Sequence, residues 1–117
     1  SQPLKVTVVS NPQWSLQHES NLNAGDRPFF TVSGDFNNDG NKDIATANYG
    51  ADNVSILLGN GLGTFADAIN FPVGKNPRCI AIGDFDGNGN QDLAVVNRNQ
   101  PGLPNGNTVS ILLGDGL

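Results

Sequence analysis

Apolar residues in this chain fall in short runs, rich in small and β-branched side chains, and each run ends in a cluster of Gly, Asn, Asp or Pro. The clearest runs cover residues 31–36, 44–48, 54–59 and 65–73. Short runs of this make-up, bounded by turn residues, predict strands. The predicted turns are the Asp/Asn-rich segment 35–43, Tyr49-Gly50-Ala51-Asp52-Asn53 and Asn60-Gly61-Leu62-Gly63. No segment repeats its apolar residues at the helical period, so the expectation is an all-β chain of short strands.

The pattern recurs. An offset of 49 carries Pro28 to Pro77 and Gly34-Asp35-Phe36 to Gly83-Asp84-Phe85. The same shift relates Leu16 to Phe65, Gly25 to Gly74 and Ser10-Asn11 to Gly59-Asn60. Val54-Ser55-Ile56-Leu57-Leu58-Gly59 returns as Val109-Ser110-Ile111-Leu112-Leu113-Gly114 at an offset of 55, which places six inserted residues in the Pro/Gly/Asn-rich loop 99–106. The repeat divides the chain into three parts. Residues 1–27 correspond to the third and fourth strands of a preceding unit, in runs 5–10 and 16–22. Residues 28–76 form a complete four-strand unit, and residues 77–117 give the first three strands of the next. Just over two units, incomplete at both ends, leave open strand edges that tend to pair with other strands. The expectation is either a piece of a longer protein or a chain completed by other copies of itself.

The strongest chemical signal is the repeated loop. Asp35-Phe36-Asn37-Asn38-Asp39-Gly40-Asn41-Lys42-Asp43 returns as Asp84-Phe85-Asp86-Gly87-Asn88-Gly89-Asn90-Gln91-Asp92. Oxygen-bearing side chains stand at the first, third, fifth and ninth positions of each copy, a spacing that wraps a tight loop around one hard cation such as Ca²⁺. The expected ligands are Asp35, Asn37, Asp39 and Asp43, with the main-chain carbonyl of Asn41. In the second loop they are Asp84, Asp86, Asn88 and Asp92, with the carbonyl of Asn90. Gly40 and Gly89 follow the fifth position, where the turn calls for positive φ. An EF-hand would need a bidentate Glu at the twelfth position and flanking helices. The twelfth positions are Thr46 and Val95, and strand-like runs follow both loops. Two Ca²⁺ sites, each between two strands, are therefore expected, with a structural rather than catalytic metal.

Charge sharpens this picture. The net charge is −5, and six of the eleven acids are the proposed ligands; without them five acids face six bases. The acidity belongs to the loops, and no basic stripe points to nucleic acid. No run of 18 apolar residues predicts membrane insertion. Cys79, the single cysteine, lies in an apolar run and is expected to be a buried, inert thiol. His18 is expected to be a solvated strand residue. No catalytic constellation of Ser, His, Cys or paired acids stands out, so enzyme activity is not expected. Asn53-Val54-Ser55 is a sequon and makes Asn53 a candidate glycosylation site. Trp14, Tyr49, Phe29 and Phe30 are candidates for stacking on sugars, although Phe29 and Phe30 lead into a strand and are expected to pack.

The combination Pro-x-x-x-x-x-Gly-Asp-Phe, an acidic loop, Asp-(Ile/Leu)-Ala and Val-Ser-Ile-Leu-Leu-Gly-(Asn/Asp)-Gly-Leu resembles the FG-GAP/VCBS repeats. These build the β-propeller of integrin α-subunits and of many bacterial secreted and surface proteins. The resemblance is weaker before Pro28 and strong after it. It implies four-stranded antiparallel blades whose first two strands are joined by the calcium loop, with ligands at the positions already assigned. Asn37 and Asn88 depart from the family's Asp, which lowers the ligand charge, and Lys75-Asn76-Pro77 stands in place of its Gly-Ala-Pro element. Propellers use four to eight blades, so these blades would need further chain, other copies in a ring, or an open-ended stack. Neighbouring blades would meet through residues such as Ala45, Ala47, Ala94 and Val96. The resemblance implies an extracellular or cell-surface, Ca²⁺-stabilised module with a structural or adhesive role. It would belong to a larger surface protein or self-assemble into an oligomer or filament. Partners would be other copies, further blades, glycans or surface proteins. The alternatives are a lectin built from oligomerised blades and an accessory segment of a secreted enzyme.

Overall fold

A computed structural model of the protein describes residues 16–17, 20–98 and 107–116. Regular structure among them is entirely β. The strands are β1 (Pro28–Gly34), β2 (Asp43–Asn48), β3 (Asn53–Leu57), β4 (Ile69–Pro72), β5 (Pro77–Gly83), β6 (Asp92–Asn97) and β7 (Thr108–Leu112). They form two antiparallel sheets that do not close on themselves, one in the order β1-β2-β3-β4 and one in the order β5-β6-β7. Within each sheet, every strand pairs with its predecessor, as antiparallel neighbours joined in sequence do.

The repeat read from the sequence is a repeat of register. Val32 pairs with Ala45 and Ala45 with Ile56 in the first sheet; Ala81 pairs with Ala94 and Ala94 with Ile111 in the second. Both first strands carry an irregularity one residue in, between Pro28 and Phe30 and between Pro77 and Cys79. Phe29 and Arg78 occupy that place, so neither follows the alternation of its strand.

The core lies between the sheets. Ala45, Ala47, Val54 and Ile56 of the first sheet meet Ile80, Leu93 and Val95 of the second, and Val32, Ile82 and Leu112 pack around them. Small alanines on β2 leave room for branched side chains on β5 and β6. Val54 and Val95 are fully buried, each contributing about 1.5–3 kcal/mol by area. The opposite face of the first sheet is mostly polar, with Ile44 and Leu57 at the end next to the acidic loop. Thr31 and Thr46 share a hydroxyl hydrogen bond of 3.1 Å, and Asn48 Nδ2 donates to Ser55 Oγ, which donates to Asn70 Oδ1.

Several expectations need correction. The first strand runs over Pro28–Gly34 instead of 31–36, because the N–H groups of Asp35 and Phe36 turn away to side-chain oxygens of Gln91 and Asp43. The third ends at Leu57, because the Gly59 N–H leaves the ladder for the Asp43 carboxylate. The fourth is only Ile69–Pro72; Phe65 makes a single bridge with Gly59. Cys79 is exposed, because it alternates onto the uncovered face of the second sheet. Ala45 and Ala47 lie between sheets as expected, whereas Val96 stands on that uncovered face and is exposed. Of the strand expected over residues 16–22, residues 16–17 and 20–22 are described and are not in a strand; Leu16 and Leu22 there are exposed. The strand expected over 5–10, Trp14, His18 and the inserted loop 99–106 lie outside the described residues.

Candidate metal centres

The two acidic loops join β1 to β2 and β5 to β6, at the same end of each sheet. Strands flank both. Within them, side-chain oxygens replace the ladder as partners for the main chain. Asp35 accepts from the N–H groups of Asp39 (3.2 Å) and Gly40 (2.9 Å), and Asp39 accepts from Asn41 N at 2.8 Å. In the second loop Asp84 accepts from Asn88 N (3.1 Å) and Gly89 N (2.8 Å), and Asn88 Oδ1 accepts from Asn90 N at 2.9 Å. These turns are the local hydrogen bonds that make Asp and Asn loop formers. They coil each loop, and in the second they bring the side chains of the first, third and ninth positions together.

The coil needs left-handed backbone twice per loop. Gly40 and Gly89 have φ of 82° and 86°, as their place after the fifth position implies, and Asn38 and Gly87 have φ of 57° and 74° at the fourth. Asn is among the few residues that tolerate this conformation. The fourth position escaped the sequence reading because its residue changes between copies.

Carboxylates gather in the second loop; among the described residues the three acids of the first loop form no such group. Carboxylate oxygens of Asp84, Asp86 and Asp92 all lie within 4.8 Å of one another. In the first loop, one arm of the Asn37 amide lies 3.0 Å from Asp39 Oδ1 and 3.1 Å from Asp35 Oδ1. With nitrogen on that arm, the amide donates to both carboxylates. With oxygen there, three oxygens converge, which is stable only around a cation. Among the described residues no lysine or arginine pairs with these acids; the ion pair present is Lys75–Asp52, 3.0 Å apart, at a different turn. Main-chain N–H groups favour the ionised form of two of them instead. The Asn41 N–H lowers the pKa of Asp39, and those of Gly89 and then Asn88 lower that of Asp84.

A donor set of carboxylate and amide oxygens, without thiolate or imidazole, fits a hard cation of the Ca²⁺ class. The oxygens already accepting one hydrogen bond retain a second lone pair. Asn41 and Asn90 turn their N–H groups into the loop, and Asn90 Oδ1 accepts from Asn38 Nδ2, which links the two loops.

Asp43 and Asp92 do something that spacing alone did not reveal. Asp43 is fully buried; its Oδ2 accepts from Phe36 N at 2.8 Å and its Oδ1 from Gly59 N at 2.9 Å. Asp92 repeats this with Phe85 N at 2.8 Å and Gly114 N at 2.7 Å. Each carboxylate therefore ties its loop to the end of the third strand. The available signal was the glycine closing both Val-Ser-Ile-Leu-Leu-Gly strings. A Cβ on Gly59 would stand 2.1 Å from Lys42 O, and one on Gly114 2.2 Å from Gln91 O, so only glycine lets the chain approach.

The loops also touch across the sheets: Gln91 Oε1 accepts from Asp35 N at 2.7 Å. At the other end of the sheets, the Arg78 guanidinium lies 5.0 Å from the Phe29 ring centre and 4.6 Å from that of Tyr49. Two of the aromatic residues considered for sugar stacking thus each give a ring face to Arg78. Asn53 opens β3 half-buried, with Oδ1 accepting from Asn48 Nδ2 at 2.7 Å, and Ser55 of its sequon is buried.

Compared with known proteins, residues 10–95 match the family model of the FG-GAP-like repeat. No curated protein and no solved structure matches the chain.

Proposed function

The chain belongs to the FG-GAP-like repeat family, and on that premise we propose that it is a Ca²⁺-stabilised, extracellular or cell-surface repeat module. Its two sheets are propeller-type blades, and its role is structural or adhesive, within a larger surface protein or an assembly of copies. The observation that carries the metal reading is the second loop, which gathers Asp84, Asp86 and Asp92 within 4.8 Å, with no lysine or arginine among the described residues paired to them. Asp35, Asn37, Asp39 and Asp43 would hold one ion, and Asp84, Asp86, Asn88 and Asp92 the other. The ion would supply charge neutralisation at the strand junction. Binding to the folded loop and not to the open chain then stabilises the fold by mass action. Extracellular Ca²⁺, near millimolar, keeps even modest sites of this type filled.

Calorimetric titration with Ca²⁺ tests the reading. Two ions per chain are expected, falling to one when Asp84→Asn and Asp86→Asn are combined. Absence of binding in a folded sample, with no Ca²⁺ co-purifying, overturns it.

A further inference from the structure

Asparagine is a chemically labile side chain, most so before glycine, whose missing Cβ lets its main-chain nitrogen reach the amide carbon. The chain has three such pairs, Asn60-Gly61, Asn88-Gly89 and Asn105-Gly106. The last lies outside the described residues. Asn60 and Asn88 are both exposed, and both tie their amides into local turns. They differ at the nitrogen that would attack. Gly89 N donates to Asp84 Oδ2 at 2.8 Å. Losing its proton there would set a negative nitrogen against a carboxylate, so this pair is guarded. The Gly61 N–H has no hydrogen-bond partner among the described residues, and Gly61 is exposed. Asn60 Oδ1 accepts from Leu62 N at 2.9 Å and from Thr64 N at 3.4 Å. Two donors thus face the oxygen on which charge develops when the amide carbon is attacked.

We propose that Asn60 is a self-modification site, converted with water as the co-reactant to aspartate and isoaspartate. Gly61 N loses its proton to solvent base and bonds to Asn60 Cγ. The Cγ–Nδ2 bond then breaks, and with a proton from water the nitrogen leaves as ammonia. The cyclic imide that remains takes up a water. Opening at the Cγ–N bond gives aspartate; opening at the main-chain carbonyl gives isoaspartate. The net change is amide and water to carboxylic acid and ammonia, with nothing oxidised or reduced.

The fold receives the two products differently. The second copy of the repeat carries Asp115 before Gly116 at the matching place, and a carboxylate keeps oxygen acceptors for Leu62 N and Thr64 N. Aspartate therefore fits the turn. It adds a negative charge beside the first acidic loop, since a Cβ on the neighbouring Gly61 would stand 2.5 Å from Asn41 Oδ1. Isoaspartate lengthens the main chain by a methylene between two fixed points. Gly59 on one side gives its N–H to Asp43, and Gly61 on the other stands against Asn41. That product strains the end of β3. The proposal goes beyond the metal and adhesive readings and rests on neither.

Peptide mass spectrometry of the 117-residue chain, incubated in mildly alkaline buffer with Ca²⁺ or with EDTA, tests it, with far-UV circular dichroism confirming the fold. Fragment ions place each amide-to-acid mass gain, and chromatography separates aspartate from isoaspartate. In the folded chain Asn60 should convert at least about tenfold faster than Asn88, because only the Asn88 pair must first break a hydrogen bond to a charged group. In urea, where that guard is gone, the two rates should converge. Asn60→Gln should keep residue 60 as the amide and leave the rate at Asn88 unchanged. Equal rates at the two asparagines of the folded chain overturn the proposal. An Asn60 that stays intact when folded yet converts in urea overturns it as well.

Discussion

Replacing Asp43 by Asn exchanges one carboxylate oxygen for an amide N–H₂ and removes the charge, and its cost follows from two hydrogen bonds. The buried carboxylate accepts from Phe36 N at 2.8 Å and from Gly59 N at 2.9 Å. Hydrogen bonds to charged groups contribute about 1.5–3 kcal/mol each. Asparagine keeps one acceptor and turns an amide N–H₂ toward the other donor, so one bond is lost and one main-chain N–H is left facing another donor. The expected loss is about 2–3 kcal/mol. Asp43→Ala removes both acceptors and should cost about 4–6 kcal/mol, a large share of the roughly 5–15 kcal/mol that holds a domain together. Urea unfolding followed by far-UV circular dichroism, carried out in EDTA, isolates this role from any metal. Asp92→Asn should match Asp43→Asn within error, since Asp92 makes the same two bonds to Phe85 N and Gly114 N. If both Asn variants in EDTA lie within about 0.5 kcal/mol of wild type, the carboxylates are not locks and the reasoning is refuted.

Other outcomes follow from the same structure. Arg78→Ala should destabilise the chain by about 1–2 kcal/mol by removing the guanidinium between Phe29 and Tyr49, and Arg78→Lys should recover only part; a neutral Arg78→Ala in urea unfolding contradicts the contact. Gly59→Ala should lower stability by more than about 2 kcal/mol, since its Cβ meets the rigid Lys42 carbonyl oxygen, and an unchanged melting temperature would show that the loop yields. Acid should destabilise the metal-free chain. The pKa values of Asp39, Asp52 and Asp84 are lowered in the fold, chiefly by the N–H groups of Asn41, Asn76 and Gly89 respectively. Their stabilisation is therefore complete above the unfolded value near ~3.9. It is lost as pH falls through the folded values. Melting temperatures in EDTA, flat from about pH 7 to about pH 2, would contradict those hydrogen bonds.

What the sequence made legible was whatever is repeated and local. The offsets of 49 and 55 located both loops and the strands after them, because Ile44-Ala45-Thr46-Ala47-Asn48 and Leu93-Ala94-Val95-Val96-Asn97 carry one pattern. Left-handed Gly40 and Gly89 were readable from their place in the loop. Strand ends were not, because side chains distant in sequence set them. Gly59 leaves its ladder for Asp43, and Asp35 turns to Gln91, 56 residues away. Arg78 shows another limit. It stands where the preceding repeat has Phe29, and only the packing of the two sheets brings that ring and Tyr49 around it. Cys79 read as buried because its neighbours are apolar, yet alternation puts it on the sheet face that the first sheet does not reach.

The central claim is that two metal-filled loops hold this fold together, and urea unfolding in about 1 mM Ca²⁺ against EDTA tests it most directly. Each site filled to about 100 times its dissociation constant adds about 2.7 kcal/mol. The account predicts a midpoint that rises clearly with Ca²⁺, rises less with Mg²⁺ at the same concentration, and loses about half of its gain when Asp84→Asn and Asp86→Asn disable the second loop. A midpoint identical in Ca²⁺ and EDTA would contradict it, and the acidic loops would then be turns closed by their own hydrogen bonds.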